Sequence, residues 1–413
     1  MKRTIRGWLS RNQDFLMLSG VLAACMFAVA SFTGQWLWQR NWYNTYTLQA
    51  VNWLHGRLDL ERGEELQWLE LAIYGGRYYC SFPPFPSVLM LPFAAVFGEN
   101  TPDGFIALAV ALLALWEAAR LAEDMGMQRA QRLYWLVFLL FGNGWLWLVM
   151  NGFVWFIAQS LCIALCLAAI RHARAGRGGW ALAWWACAVG CRPMCAICLP
   201  VLLILLVRAL HETFPERGFW RLTAMKWHWA IAPALIAAGY MALNAARFGS
   251  PLEFGHTWLP EFQRAEYGQF SLTYLEDNLK AMLRFPLPAP GSNKLNWPQL
   301  NGTAFYLVNP IFPAAAAVWA AAFPRRKENS EALYWLIPVL SVLYALFIAC
   351  HRTLGGWHFG NRYLTDILPW IFLGILLWKP NRVLTRCTVP LAALGIALNL
   401  IGTVVTYNHW PLT

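Results

Sequence analysis

The chain reads as an all-α polytopic membrane protein, and three observations predict that class. Its 413 residues are 59% hydrophobic and only 13% charged, against about a quarter charged in a soluble domain. Apolar runs recur along its whole length, many near the roughly 20 residues that cross a hydrocarbon core. Basic clusters ("MKRTIRGWLSR", "QRAQR", "RHARAGR", "FPRRKE", "RVLTR") flank those runs, as the positive-inside rule expects of cytoplasmic loops. The net charge of +11 is then topological, and its scatter over loops argues against a nucleic-acid partner.

The first apolar run, 15–32, passes directly into Trp36, Trp38 and Trp42, which read as an interfacial aromatic belt. A signal peptide has a shorter core that ends in small residues, so a retained first helix with a cytoplasmic N-terminus is expected. Spans follow near 103–121, 133–150, 153–170, 180–208, 228–247, 303–323, 333–350, 363–378 and 387–407. The 180–208 run is too long for one crossing, and "GCRP" in its middle predicts two short helices meeting at 191–193. A full crossing at 84–98 turns every later basic loop outward, so a partial or re-entrant element is expected there. The chain is then one transmembrane domain, 1–413, with outer loops at 34–83 and 248–302. No nucleotide-binding loop of either glycine-rich type occurs.

In the first outer loop, Tyr43, Tyr46, Ala50 and Leu54 form one helical stripe and Asn41, Asn44, Thr45 and Asn52 another, a pattern that suits either a helix lying in the interface plane or an ordinary capping segment. "YGGRYYCSFPPFP" (74–86) follows. Its Gly-Gly supplies the positive φ angles of a two-residue hairpin turn, and so small a hairpin must pack on a helix or the membrane. Of the loop's acids, Asp59 and Glu70 sit between leucines. A carboxylate so placed suits a general base with a raised pKa, or is a surface acid between packing residues.

The ten cysteines lie mostly inside apolar runs, where a thiol packs as a small hydrophobe, and "CRPMC" lacks zinc spacing. In the second outer loop Glu253, His256 and Glu261 lack the spacing that fixes a coordination face. Neither a metal nor another cofactor is expected; "APGSNKLNWPQLNG" (289–302) reads as a polar lid segment. Arg362 and Asp366, four apart, meet on one helical face, either as a structural ion pair or, with His358, as a clamp for phosphate or sugar hydroxyls.

"LHGRLDL…LAIYGGRYYCSFPPFPSVLMLPFAAVFG", "RFGSPLEFGHTWLPEF", "GGWHFGNRYLTDILPW" and "GCRP", in this order, resemble stretches of bacterial multi-spanning glycosyltransferases of the GT-C superfamily, the family 39, protein-mannosyltransferase-like group. The resemblance implies a GT-C-like bundle of roughly 11–13 transmembrane helices with two elaborated outer loops. It implies a hexosyl- or pentosyltransferase in the bacterial cytoplasmic membrane that moves a sugar from a polyprenyl-phosphate donor to a glycan, lipid or protein acceptor on the periplasmic face. A first-loop carboxylate would activate the acceptor, with Asp59 and Glu70 the candidates. Many members place that acid within a few residues of the first helix, whereas 34–58 contains none here. Arg192 and Arg362 would hold the lipid phosphate, since guanidinium binds it in two-pronged fashion. Arg77, Tyr78, Tyr79, His256, Trp357, His358 and Asp366 would shape the sugar pocket. The residues leave two other classes open: a lipid-linked saccharide or solute transporter, and a surface-polysaccharide ligase or polymerase.

Overall fold

The computed structural model describes residues 8–9, 12–150, 152–287, 297, 299–327 and 331–409. Its longer helices are α1 (Gln13–Thr33), α2 (Thr45–Leu54), α3 (Phe85–Phe97), α4 (Asp103–Asp124), α5 (Arg129–Phe141), α6 (Val154–Arg174), α7 (Gly178–Val189), α8 (Leu199–Thr213), α9 (Ile231–Phe248), α10 (Leu275–Leu283), α11 (Ile311–Ala322), α12 (Glu331–Ala349), α13 (Leu368–Trp378) and α14 (Val389–His409). Strands are confined to two antiparallel pairs, β1 (Leu71–Tyr74) with β2 (Arg77–Cys80) and β3 (Gln299–Leu300) with β4 (Trp357–His358).

Seven helices among the described residues are long and apolar enough to cross a bilayer. They contain α1, α4, α6, α8, α9, α12 and α14, and the protein is multi-pass. Four shorter ones, α5, α7, α11 and α13, are interspersed with them in chain order. The shortness has local causes. The 133–150 run breaks at 142–144, where Asn143 Nδ2 turns back onto the Phe138 and Leu139 carbonyls and Gly144 N donates to Asn309. The 180–208 run breaks as its length and proline require: α7 ends at Val189, a 3₁₀ turn spans Pro193–Cys198, and α8 begins at Leu199. α6 is the central post, buried over nearly all its length against α4, α7, α8 and α13.

Helix α3 starts where its Phe85 N–H donates to the Gly190 carbonyl, at the α7–α8 break. It ends beside Glu99, which pairs with Arg40 and Arg62 of the first loop. Both of its ends therefore lie at the same end of the bundle. Its 13 residues extend only about 20 Å, short of a roughly 30 Å core.

The two ends differ in composition. At one, Asp14 binds Arg129 and Arg132, Glu117 binds Arg171, and Arg120 binds Glu123; the basic clusters gather here. At the other lie 34–83, 249–287 and 299–302 and the connections after α7 and α12. The stripe reading of α2 needs correction, because Thr45 to Ala50 are all buried. Its polar side is covered too, with Thr47 donating to Asp103 at 2.8 Å and Gln49 accepting from Ser87 at 2.7 Å. Polar groups with partners inside the protein need no water, so α2 packs within the loop rather than on a membrane surface.

Candidate functional site

A cavity of about 710 Å³ opens at the loop-bearing end. Its floor is the α7–α8 break and the turn Arg362–Ile367, and its walls are the base of the β1–β2 hairpin and the 252–270 and 348–356 segments.

The floor is built on Asp366, which is fully buried. A buried carboxylate is tolerated only when paired and hydrogen-bonded, and three donors meet it. Arg192 Nε reaches Oδ2 at 2.8 Å, Tyr344 Oη reaches the same oxygen at 2.8 Å, and Gln159 Nε2 reaches Oδ1 at 2.8 Å. Gln159 extends the network, accepting from Arg362 Nη1 at 2.9 Å. Arg362 Nε donates to the Gly355 carbonyl at 2.7 Å. Gly355 has φ +108° and a Cβ there would sit 2.7 Å from Arg362 Nε, so only glycine permits this approach. Both guanidiniums lie 4.8 Å from the Tyr363 ring centroid, and all three residues line the cavity. One carboxylate thus anchors two cations, leaving an excess positive charge at the floor.

Asp366 and Arg362 do not pair directly, contrary to the four-residue spacing. Residues 362–367 form a 3₁₀ turn, whose three-residue repeat carries positions i and i+4 away from one another. Arg192 takes the carboxylate instead.

Glu70 faces this floor from the hairpin base. It adopts left-handed φ 58°, uncommon for a residue with a Cβ, and its backbone carbonyl accepts from Ser81 Oγ at 2.7 Å across the open end of the hairpin. Its carboxylate accepts from Trp155 Nε1 at 2.8 Å, reachable by cavity solvent yet enclosed by protein on its other sides. That desolvation raises its pKa above the ordinary carboxylate value, helped by Glu261 and opposed by the Trp155 hydrogen bond and Arg362. Tyr43, Trp68 and Trp155 cluster around it, with Tyr43 5.4 Å from Trp68 and 5.0 Å from Trp155 between ring centroids.

Two histidines complete the walls. His256 Nδ1 donates to the Ser81 carbonyl at 3.0 Å, so a neutral ring presents Nε2 as acceptor. His351 Nδ1 donates to the Thr353 carbonyl at 2.6 Å, with Nε2 3.2 Å from Gln269. Burial lowers the pKa of both, His351 to about 4. Glu261, also on the wall, is shifted up by desolvation.

Of the sequence-derived candidates, Glu70, Arg192, His256 and Arg362 line the cavity, and Asp366 lies directly beneath. Asp59 lies outside the lining, bound to Arg57 at 3.1 Å. The turn forms as its glycines require, with Gly75 at φ 56° and Gly76 at φ 72°, but the hairpin's base rather than its tip meets the cavity. Arg77 is exposed at the tip, Tyr78 packs with Leu48, Leu60, Leu69 and Leu71, and Tyr79 is buried 5.2 Å from the Phe248 ring. His358 is buried outside the lining, with Nε2 donating to the Leu354 carbonyl at 3.4 Å and a pKa lowered by burial to about 3. The side chain of Trp357 lies outside the described residues, as does most of the expected lid segment; its Trp297 donates to the Phe359 carbonyl at 2.6 Å. Gln159, Tyr344 and Tyr363 were not anticipated. Gln159, an amide inside an apolar run, was the visible signal.

No protein-family model matches the chain, and no curated protein sequence does. Among solved structures it is similar to ArnT from Cupriavidus metallidurans bound to undecaprenyl phosphate. The likeness has a TM-score of 0.53 at 14% identity and covers 97% of this chain and 76% of that one. It shows the fold alone: a bundle of apolar helices like that of ArnT, within the all-α polytopic class expected from the sequence.

Proposed function

We propose that the chain is an integral-membrane glycosyltransferase that takes a sugar from a polyprenyl-phosphate-linked donor and passes it to a cell-envelope acceptor (glycan, lipid or protein) on the periplasmic face of a bacterial cytoplasmic membrane. The observation that carries this reading is the pair Arg192 and Arg362, built around one carboxylate and facing the same cavity as Glu70. A phosphodiester needs fixed guanidiniums at headgroup depth. The polyprenyl phosphate bound to the similarly folded ArnT supports this donor class, and the basic clusters at the opposite end support a cytoplasmic N-terminus.

In this reading the donor phosphate lies against Arg192 and Arg362, and the sugar against Tyr43, Trp68 and Trp155. Glu70 accepts the proton of the acceptor hydroxyl while its oxygen bonds to the anomeric carbon. The bond from that carbon to the phosphate oxygen breaks, and the electron pair leaves with the polyprenyl phosphate, whose growing charge the guanidiniums stabilise. A raised pKa makes Glu70 a better base than an ordinary surface carboxylate.

The test is transfer of radiolabelled sugar from a panel of polyprenyl-phosphate hexoses and pentoses in membranes at matched expression. Transfer by the wild type, reduced about 10²–10⁴-fold in Glu70→Gln, is the expected result. Full activity of Glu70→Gln overturns its role. Absence of transfer across the panel, with lipid flipping in proteoliposomes, overturns the enzyme reading in favour of transport.

A further inference from the structure

Away from the cavity surface, three thiols converge. Cys162 and Cys166 stand one turn apart on α6, and Cys195 lies on the 3₁₀ turn after the break. Their sulfurs all lie within 4.8 Å of one another, with Cys162 to Cys166 at 4.0 Å. All three are buried, and no cysteine among the described residues forms a disulfide.

We propose that Cys162, Cys166 and Cys195 form a three-coordinate thiolate site for a soft monovalent cation, copper(I). An ion centred in a triangle of sulfurs at a metal–sulfur distance of about 2.3 Å sets the sulfurs about 4.0 Å apart. The Cys162–Cys166 edge has that length and the other two are no longer than 4.8 Å, so closing on an ion calls for shifts below about 1 Å. Among the described residues no fourth His, Cys, Asp or Glu ligand atom lies within 4.8 Å of all three. A zinc site of structural type wants four ligands in a tetrahedron, whereas an all-sulfur set of three suits copper(I). Binding releases the thiol protons; copper(I) offsets one of the three thiolate charges and Arg192 already pairs with Asp366 at 2.8 Å, so the bound set is anionic. Arg192 is held close: Cys195 N donates to its carbonyl at 3.0 Å.

A route is present as well. Met194 on the same turn and Cys191 just before it, both soft sulfur donors, line the cavity floor, so an ion entering from the cavity meets sulfur one residue before Cys195. Occupancy would tie α6 to the turn that carries Arg192. The site stands independently of the sugar-transfer reading.

The experiment uses the full-length protein purified in detergent under reducing, oxygen-free conditions and titrated with copper(I) held by bicinchoninate, with zinc(II) in a parallel arm. The expected result is one equivalent of copper(I) withdrawn from the chelator. X-ray absorption should show three sulfur neighbours at about 2.3 Å. Cys195→Ser and Cys166→Ala should each lose the competition at least tenfold, while Cys387→Ala, at an exposed thiol, should not. The absorption spectrum of the wild type answers the question even where a variant folds poorly. No copper uptake, uptake unchanged in Cys195→Ser, or preferential four-coordinate binding of zinc(II) overturns the proposal.

Discussion

The two ends of the bundle handle charge in opposite ways. At the basic end each buried acid is matched by arginines on other helices: Asp14 by Arg129 and Arg132, Glu117 by Arg171. These contacts tie α1 to α5 and α4 to α6, and they close on themselves. At the cavity end Asp366 is shared out through Gln159, so that Arg362 receives only neutral acceptors. Among the described residues Arg362 has no carboxylate within ion-pair distance. A closed pair fixes helices; a cation held by neutral groups remains available to an incoming anion. The difference separates a structural seam from a binding floor better than burial does, since both ends bury charge.

The comparison breaks most sharply on loss of transfer, where Glu70→Gln carries the largest effect, stated above. Next comes removal of one partner from each end. Arg192→Met leaves Asp366 buried without its ion partner and should cost about 3–5 kcal/mol, read as a fall in melting temperature in detergent. Adding Asp366→Asn should recover much of that stability yet leave donor binding impaired. At the seam, Arg171→Met should destabilise comparably, and its rescue by Glu117→Gln should restore transfer along with stability. Recovery of full donor binding in the Arg192→Met/Asp366→Asn variant would erase the distinction between the ends.

Acid should open the cavity end first. His351 and His358 are pushed down from an ordinary 6.5 to about 4 and about 3, so between those values and 6.5 the unfolded chain binds more protons than the folded one. Stability therefore rises with pH across that window and is lost as pH falls through it, by as much as about 3 kcal/mol for His351 alone. Glu70, raised in the folded state, opposes the trend in stability. It reinforces the trend in activity, since protonating it removes the base. Hydrogen exchange at pH 5 against pH 7, with each rate divided by its intrinsic value at that pH, should show lower protection in 256–270 and 351–363 at the lower pH while 117–132 stays protected. Uniform protection, or acceleration at the basic end, would contradict the assignment.

A milder change sharpens the floor. Arg362→Lys keeps a charge but not the fork that spans Gly355 and Gln159. Its expected signature is roughly a tenfold rise in donor KM with little change in melting temperature, about 1.4 kcal/mol of lost recognition. An equal loss of stability would make Arg362 a structural cation like Arg171.

Legibility followed the range of the physics involved. Local rules reached the Gly75–Gly76 turn and the break at 191–193, because φ preference and span length act over a few residues. They failed where partners are distant in sequence. The spacing of Arg362 and Asp366 pointed to a direct pair, but a 3₁₀ turn moved them apart and Arg192, 174 residues away, supplied the charge. Tyr78 and Tyr79 carry the polar-aromatic character of a sugar site, yet Tyr79 is buried by Phe248 and Tyr78 packs against Leu48, Leu60, Leu69 and Leu71, which no local pattern reveals. The thiol triangle was hidden likewise: Cys162 and Cys166 were visible as one helical turn, but Cys195 joins only through tertiary packing.

The smallest expected effect is also a discriminating one. Asp59 and Glu70 look alike in sequence, each an acid between leucines. In the fold Asp59 meets Arg57, which is 40% exposed and also shared with Glu61, while Glu70 meets Trp155 in the cavity wall. A pair whose arginine is this exposed and divided between two acids contributes little, typically under 1 kcal/mol. Asp59→Asn should therefore leave transfer within about twofold and shift stability by less than about 0.5 kcal/mol, measured beside Glu70→Gln in the same membranes. A large loss of transfer in Asp59→Asn would move the base to the hairpin's far side and place the reacting sugar outside the cavity that Arg192 and Arg362 line.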